Sequence, residues 1–437
     1  MQKLPTDTER FLASLVNYEK RGLEGVGAES LDPGKLTGVL KKLNDPHLAY
    51  ESVHVAGTKG KGSVCQFTSS ILSSSGYRTG LYTSPHLLRV NERIRINSKE
   101  IEDGELADVI SVIRERLEGA GDFTYFEVMT LAAMLHFARS GVDYAVFETG
   151  LGGRFDATNV LESSVCGITP VSYDHTHVLG KTLGEIAAEK AAIIKRASRC
   201  VSSPQQEEAL SVIKKRCAEV GSPLTLAGEE ITWRVREAGA EGSRFDLFTK
   251  WDEYTLCRTR MPGFFQVSNC ATAAGICEEL LGDNRDKEAF RRGIARAYVP
   301  GRMEILSKKP MVLIDGAQNG ASARALAVSV RGLFPGRRVV LVLGICRDKE
   351  IKSVCDELMP LADEVVLTRA TSERAADPEI IRGFIRRRSA MITRDVPEAL
   401  GGAFKLAEES DLILVTGSFY VIAEVRDIIL RDLACRK

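Results

Sequence analysis

The chain has 437 residues, too many for one ordinary hydrophobic core and enough for two or three domains of common size. Apolar residues make up 44% and charged residues 27%, the mix of a globular protein, which leaves little room for long disorder. Lys plus Arg balances Asp plus Glu at 59 each, so nucleic-acid binding through bulk charge is not expected.

In chain order, Ser52-Val53-His54-Val55-Ala56 reads as a short buried strand, followed by a glycine loop and a helix from about Ser63 to Ser75 that Gly76 stops. A strand over Arg78 to Tyr82, an apolar helix over Tyr125 to Arg139 and a strand over Asp143 to Glu148 follow. Strands alternating with helices imply an α/β fold with a parallel sheet. From Ile231 to Arg260 polar and apolar residues alternate between Gly-rich turns, which predicts a small antiparallel meander appended to the sheet. Helices around Val267 to Leu281 and Asp286 to Ala297 lead into Tyr298-Val299-Pro300-Gly301-Arg302, the expected interdomain linker. Beyond it, strands at Met311 to Asp315, Val339 to Leu343, Glu364 to Leu367 and Leu412 to Thr416 predict a second α/β domain.

The ten cysteines include no Cys-x-x-Cys pair and no Cys/His cluster at zinc-ligand spacing. Several, such as Cys270 and Cys277, fall in apolar helical stretches, and we read all ten as reduced thiols. The N-terminus lacks an apolar leader, and no run approaches the roughly 18 apolar residues that span a bilayer. The cytoplasm is the expected location.

The loop Gly57-Thr58-Lys59-Gly60-Lys61-Gly62-Ser63 stands between a strand and a helix. Glycines there let backbone N–H groups turn toward a phosphate, and the helix N-terminus adds its positive dipole. Lys61 is placed to reach terminal phosphates, and Ser63 to offer a hydroxyl to magnesium. The spacing departs from the usual Walker pattern by Gly62, and a glycine loop alone does not name a reaction.

Magnesium on a nucleotide takes hard oxygen ligands. Glu148 ends an apolar strand before the glycine loop Thr149 to Arg154, so its carboxylate is expected at the C-terminal edge of the sheet, where α/β proteins bind ligands. Taken alone it reads equally as a solvated strand-end carboxylate. Asp174-His175 follows another apolar run and is a second candidate for that edge, although imidazole is not magnesium's preferred donor and a lone His is more often structural. On a helix expected over Leu183 to Lys195, Lys190 falls within the apolar stripe of Leu183, Ile186, Ile193 and Ile194. A lysine there must snorkel, pair or change its chemistry.

With these residues in view, the sequence resembles the folylpolyglutamate synthase and dihydrofolate synthase family of the Mur ligase superfamily. The matching segments are Val53 to Ser63, Tyr82-Thr83-Ser84-Pro85-His86-Leu87, Thr124-Tyr125-Phe126-Glu127, Glu148 to Asn159, Asp174-His175-Thr176 and Glu189-Lys190. Further on, Asn269 in Gln266 to Ala273, Pro300-Gly301-Arg302, Asp315-Gly316-Ala317 with Asn319, and Thr416-Gly417-Ser418-Phe419-Tyr420 complete them. The resemblance implies a P-loop mononucleotide-binding domain over residues 1–298 and a Rossmann-like glutamate ligase domain over 299–437. It assigns ATP to Gly57, Thr58, Lys59, Gly60, Lys61, Gly62, Ser63, Asn269, Arg302, Asp315 and Gln318, with Lys61, Lys190 and His175 as catalytic residues. Ser63, Ser84, Glu148, His175 and a carbamylated Lys190 are the expected ligands of one or two Mg2+ ions. Arg154 and Asp156 fall near the pterin-bearing substrate, and Ser418 and Tyr420 near the incoming one.

The sequence departs from the family pattern at Lys59, where Asn is usual, at Phe265 and Gln318, where His is usual, and at Ala192, often Gly. Gln318 cannot carry charge, and Lys59 is a candidate to compensate. The implied reaction is ATP-dependent addition of L-glutamate to dihydropteroate, a folate or both, through an acyl phosphate, by a monomer that contacts neither nucleic acid nor membrane. The alternatives at this stage are another amide ligase of the superfamily and a nucleotide-gated binding module.

Overall fold

A computed structural model describes residues 4–22, 33–119, 121–385 and 389–435. Its first sheet has eight strands: β1 (Glu51–Ala56), β2 (Thr79–Tyr82), β3 (Ile94–Ile96), β4 (Lys99–Glu100), β5 (Tyr144–Glu148), β6 (Val165–Ile168), β7 (Arg199–Ser202) and β8 (Leu224–Leu226). They lie in the order β4-β3-β2-β5-β1-β6-β7-β8. The run of apolar residues in β1 follows from its central place, with β5 and β6 pairing parallel on either side and Val53 opposite Val146 and Val165. Strands buried on both faces read as continuous apolar runs. Side chains alternate between faces: Val146 joins the core under helices Lys61–Ser74 and Phe264–Leu281, whereas Ala145 and Phe147 join that under helices Asp103–Leu117 and Tyr125–Arg139.

The predicted meander is present as β9 (Thr232–Gly239), β10 (Gly242–Phe248) and β11 (Glu253–Thr259), paired antiparallel. It is not a loose appendage. Phe245, Leu247, Tyr254 and Cys257 share one core with Val267, Cys270 and Cys277, closing the first domain from outside.

The second sheet contains β12 (Glu304–Lys308), β13 (Met311–Ile314), β14 (Val339–Leu343), β15 (Glu364–Leu367), β16 (Met391–Ile392) and β17 (Leu412–Thr416), in the order β12-β13-β17-β14-β15-β16. All its pairings are parallel except that of β12 with β13. The four strands expected there appear within a residue of their predicted ends. The short strands β3, β4, β12 and β16, at or next to the sheet edges, carry two to five residues and too little pattern to be read in advance.

One helix is shorter than its periodicity predicts. It spans Leu183–Ala191, because Ile193 N–H turns back to the Lys190 carbonyl and Ile194 N–H to that of Ala191, tightening the last turn. Ile193 and Ile194 remain buried beyond its end.

The linker is stitched to the second domain. Glu304 accepts the Gly301 N–H at 2.8 Å and the Arg426 guanidinium at 3.1 Å, and also holds the Tyr298 hydroxyl, while Gly316 N–H donates to Gly301 carbonyl. These contacts tie residues 298–304 to the second sheet. The ten cysteines are free, and among the described residues no helix is long and apolar enough to cross a membrane.

Candidate active site between the two sheets

The phosphate loop leaves β1 at Gly57 and turns into helix Lys61–Ser74 at Gly60. Only glycine fits at either end. A Cβ on Gly57 would lie 1.9 Å from Thr169 Oγ1, and one on Gly60 would lie 2.5 Å from Asn269 Oδ1, with φ at +151° and +85°. The Thr58 and Lys59 N–H groups both donate to the Pro170 carbonyl, which fixes the loop to the segment after β6. The first helical bond runs from Val64 to Gly60, so the N–H groups of Lys61, Gly62 and Ser63 form the positive helix end that an anion meets. Gly60→Ala is expected to break the Asn269–Gln266 hydrogen bond and cost about 1–3 kcal/mol, with at least a several-fold loss of affinity in titration with an ATP analogue.

Two lysines share one acceptor: Lys61 Nζ lies 3.2 Å and Lys190 Nζ 3.0 Å from the Gly57 carbonyl oxygen. Lys190 is 3% exposed, as the apolar stripe predicted. Burial, together with Lys61 and against the pull of Asp174, lowers its ammonium to a pKa of about 7. Burial lowers Lys59 to about 8, with Lys349 and Lys61 acting in the same direction and Asp174 against it.

Asp174 is the junction of the two domains. Its carboxylate accepts Lys59 Nζ at 3.3 Å from the phosphate loop, and Asn319 Nδ2 at 2.7 Å and Lys349 Nζ at 2.9 Å from the second domain. Burial alone would raise its pKa, but Lys59, His175 and Lys349 outweigh that and hold it well below the carboxylate range. His175, in the left-handed conformation at φ +50°, has Nε2 3.5 Å from Lys349 Nζ. Burial and Lys349 lower its pKa to about 3, so the imidazole is neutral and keeps a lone pair for a ligand. Lys349 was not foreseen. It follows β14 in the charged run Arg347-Asp348-Lys349-Glu350, which reads as a solvated turn, and only its position past a strand's C-terminal end signals a site.

Glu148 ends β5 buried against the loop, where a Cβ on Gly62 would stand 3.4 Å from its Oε2. That oxygen accepts the Ser84 N–H at 3.1 Å, and burial raises the carboxyl's pKa while Lys61 opposes the shift. Ser63 is also buried beside this edge. Among the described residues no three His, Cys, Asp or Glu side chains form a ready metal cluster. A single carboxylate beside serine hydroxyls, with phosphate oxygens and water to complete it, is a donor set of the kind Mg2+ takes.

The remaining expected residues fall into two groups. Asn269 abuts Gly60 of the phosphate loop, and Arg302 stacks 4.5 Å from the Phe419 ring centroid with a guanidinium nitrogen beside Gly316. Gln318 is half-buried at the start of helix Gly320–Leu333. Others are engaged by the protein itself. Asp315 accepts the N–H groups of Met303 and Ala317, both at 2.9 Å, and Asp156 those of Leu151 and Thr158. Ser418 Oγ accepts the Val421 N–H, Tyr420 donates to the Glu19 carbonyl, and Arg154 is half exposed and paired with Glu189.

A phosphate loop at one sheet edge, faced across a crevice by cationic and amide side chains of a second α/β unit, is the arrangement of a two-domain ATP-dependent ligase. The Mur ligase middle domain matches residues 55–277, and the Mur ligase glutamate ligase domain matches residues 301–419. The dihydrofolate synthase/folylpolyglutamate synthase of Bacillus subtilis is 32% identical over 402 residues, covering 90% of this chain and 94% of its own. That of Escherichia coli is 31% identical over 420 residues, covering 96% and 95%. A structure of E. coli FolC in complex with DHPP and ADP superposes with a TM-score of 0.85 at 29% identity, covering 96% of this chain and 99% of that one. Mycobacterium tuberculosis folylpolyglutamate synthase complexed with ADP and AMPPCP gives 0.87 at 30%, covering 91% and 95%. The chain belongs to the dihydrofolate synthase/folylpolyglutamate synthase family, ATP-dependent ligases that join an acid to an amino acid.

Proposed function

We propose that the protein adds L-glutamate to dihydropteroate, to a folate, or to both, through an acyl phosphate. The observation that carries this reading is the junction at Asp174, which sets Asn319 and Lys349 of the second domain against Lys59 of the phosphate loop. Such a crevice suits transfer between a nucleotide held by one domain and an amine delivered by the other. In the first step a carboxylate oxygen of the acceptor displaces ADP from the γ-phosphorus. In the second the glutamate amine attacks the acyl carbon, phosphate leaves with the C–O bond, and the amine loses a proton. Lys61 and Arg302 would offset charge on the transferring group, so rate enhancement rests on positioning and electrostatics rather than on a protein nucleophile.

Ser63, Ser84, Glu148 and His175 would hold magnesium, which supplies charge neutralisation on the phosphates. Lys190 suits carbamylation, because a lysine with a pKa of about 7 is largely a neutral amine above that pH and adds CO2, releasing a proton, to give a buried carboxylate. Arg154, Asp156, Ser418 and Tyr420 are assigned to substrate binding through the resemblance of their motifs to those of the family. The domain division at residues 298 and 299 is supported by the stitching of the linker to the second sheet. A monomer acting in the cytoplasm on ATP, L-glutamate and a pterin acid completes the reading.

An acceptor labelled with heavy oxygen in its carboxylate tests the acyl phosphate. One labelled oxygen is expected in the released phosphate, and unlabelled phosphate formed with the amide product would overturn this route.

A further inference from the structure

The N-terminal segment before residue 22 crosses between the two domains, and its contacts converge on Glu19. On the first domain, Val16 bridges to Thr124 and accepts the Tyr125 N–H at 2.9 Å. Asn17 Oδ1 caps the next turn through the Glu19 N–H at 3.0 Å, which orients the Glu19 peptide. The Glu19 carboxylate then receives both terminal nitrogens of Arg93, one at 2.9 Å. Arg93 is 1% exposed, sits over the Tyr125 ring and donates its Nε to His86 at 2.8 Å. Bidentate pairing of a buried guanidinium fixes both position and direction.

On the second domain the same residue is held by its main chain. The Glu19 carbonyl accepts Arg374 Nη1 at 2.6 Å and the Tyr420 hydroxyl at 2.7 Å. Arg374 also pairs with Asp348 through Nε and Nη2. Its segment is fastened to the loop after β14 by the Arg347 N–H to the Arg374 carbonyl and by the Ala376 N–H to the Ile345 carbonyl. That loop carries Lys349, the next residue after Asp348, whose ammonium reaches Asp174 in the crevice. A continuous series of polar contacts thus runs from Arg93 through Glu19, Arg374 and Asp348 to the loop of Lys349.

We propose that Glu19 is a positioning residue for amide formation: it straps the second domain to the first so that Lys349 is held at the Asp174 junction. The role rests on the ligase reading, but the strap itself is tested without turnover. Breaking the Arg93 pair releases the segment, so Arg374 and Tyr420 lose their acceptor and the Lys349 loop loosens.

The test uses the full chain as Glu19→Gln, Arg374→Gln and the double variant. Hydrogen exchange of the amides in residues 371–376 is expected to quicken in Glu19→Gln, although the substitution is some 355 residues away in sequence. Unchanged exchange there would overturn the strap, whether or not the protein makes an amide. In kinetics, each single variant is expected to lose about 10- to 100-fold in kcat/KM for L-glutamate, while the Kd for an ATP analogue shifts less than about 3-fold. The double variant is expected to be no worse than the poorer single one, since both cut one connection. Losses that multiply would show that the residues act separately and refute the proposal. Should Glu19→Gln fail to fold because Arg93 is left buried and unpaired, Arg374→Gln keeps that pair intact and gives the same reading through exchange in residues 17–21.

Discussion

Lys190→Ala is expected to lower amide synthesis by about 10³-fold or more while the fold persists. The amine is buried beside Lys61 on a shared carbonyl acceptor, where its charge costs free energy unless it is paired or neutralised. Its folded pKa of about 7 lies below the ordinary 10.5, so between these values the unfolded chain binds more protons and stability rises with pH. Below about pH 7 the burial penalty is fully present, and removing the lysine should raise Tm relative to the unmodified parent. As pH rises toward 10 that advantage should vanish. Thermal melts across pH 6–10 read the stability effect, and intact mass under added bicarbonate reads addition of CO2 to the parent but not to the variant. An alanine variant with parental activity would remove Lys190 from the mechanism.

Asp174→Asn is expected to cost about 3 kcal/mol of stability and about 100-fold or more in kcat/KM. The loss arises because Lys59 and the nearly buried Lys349 are left without the carboxylate that holds them together. The folded pKa of Asp174 is depressed below the ordinary 3.8, so its contribution is present above about pH 4 and lost as pH falls below it. Denaturant midpoints of parent and variant should therefore converge in acid. A variant with unchanged midpoint and rate at neutral pH would mean that the junction carries no load.

These effects divide by how far apart in sequence their causes lie. The strand, loop and helix around Lys61 were legible because each feature is local: an apolar run, glycines where the backbone turns, and a helix start. Lys190 was legible through periodicity, since a charge on an apolar stripe is visible without any fold. The same reasoning overran the helix end at Ala191, where carbonyls are taken up by a tightened turn that apolar Ile193 and Ile194 do not betray. Lys349 and Glu19 were not legible. Their partners stand far away in the chain, and a lysine or glutamate in a charged stretch looks solvated until a sheet edge brings its partner near. Asp156 and Asp315 were identified through their motifs; in the fold Asp156 organises its own loop, and Asp315 joins the linker at Met303 to the turn after β13.

The central claim is glutamyl transfer to a pterin acid, and product mass tests it most directly. The protein is incubated with Mg-ATP, L-glutamate and either dihydropteroate or tetrahydrofolate, and released phosphate is measured beside the mass of the pterin. A gain of one glutamyl unit with matching phosphate release is the predicted result. Phosphate release with no glutamyl gain on either acceptor would contradict the account.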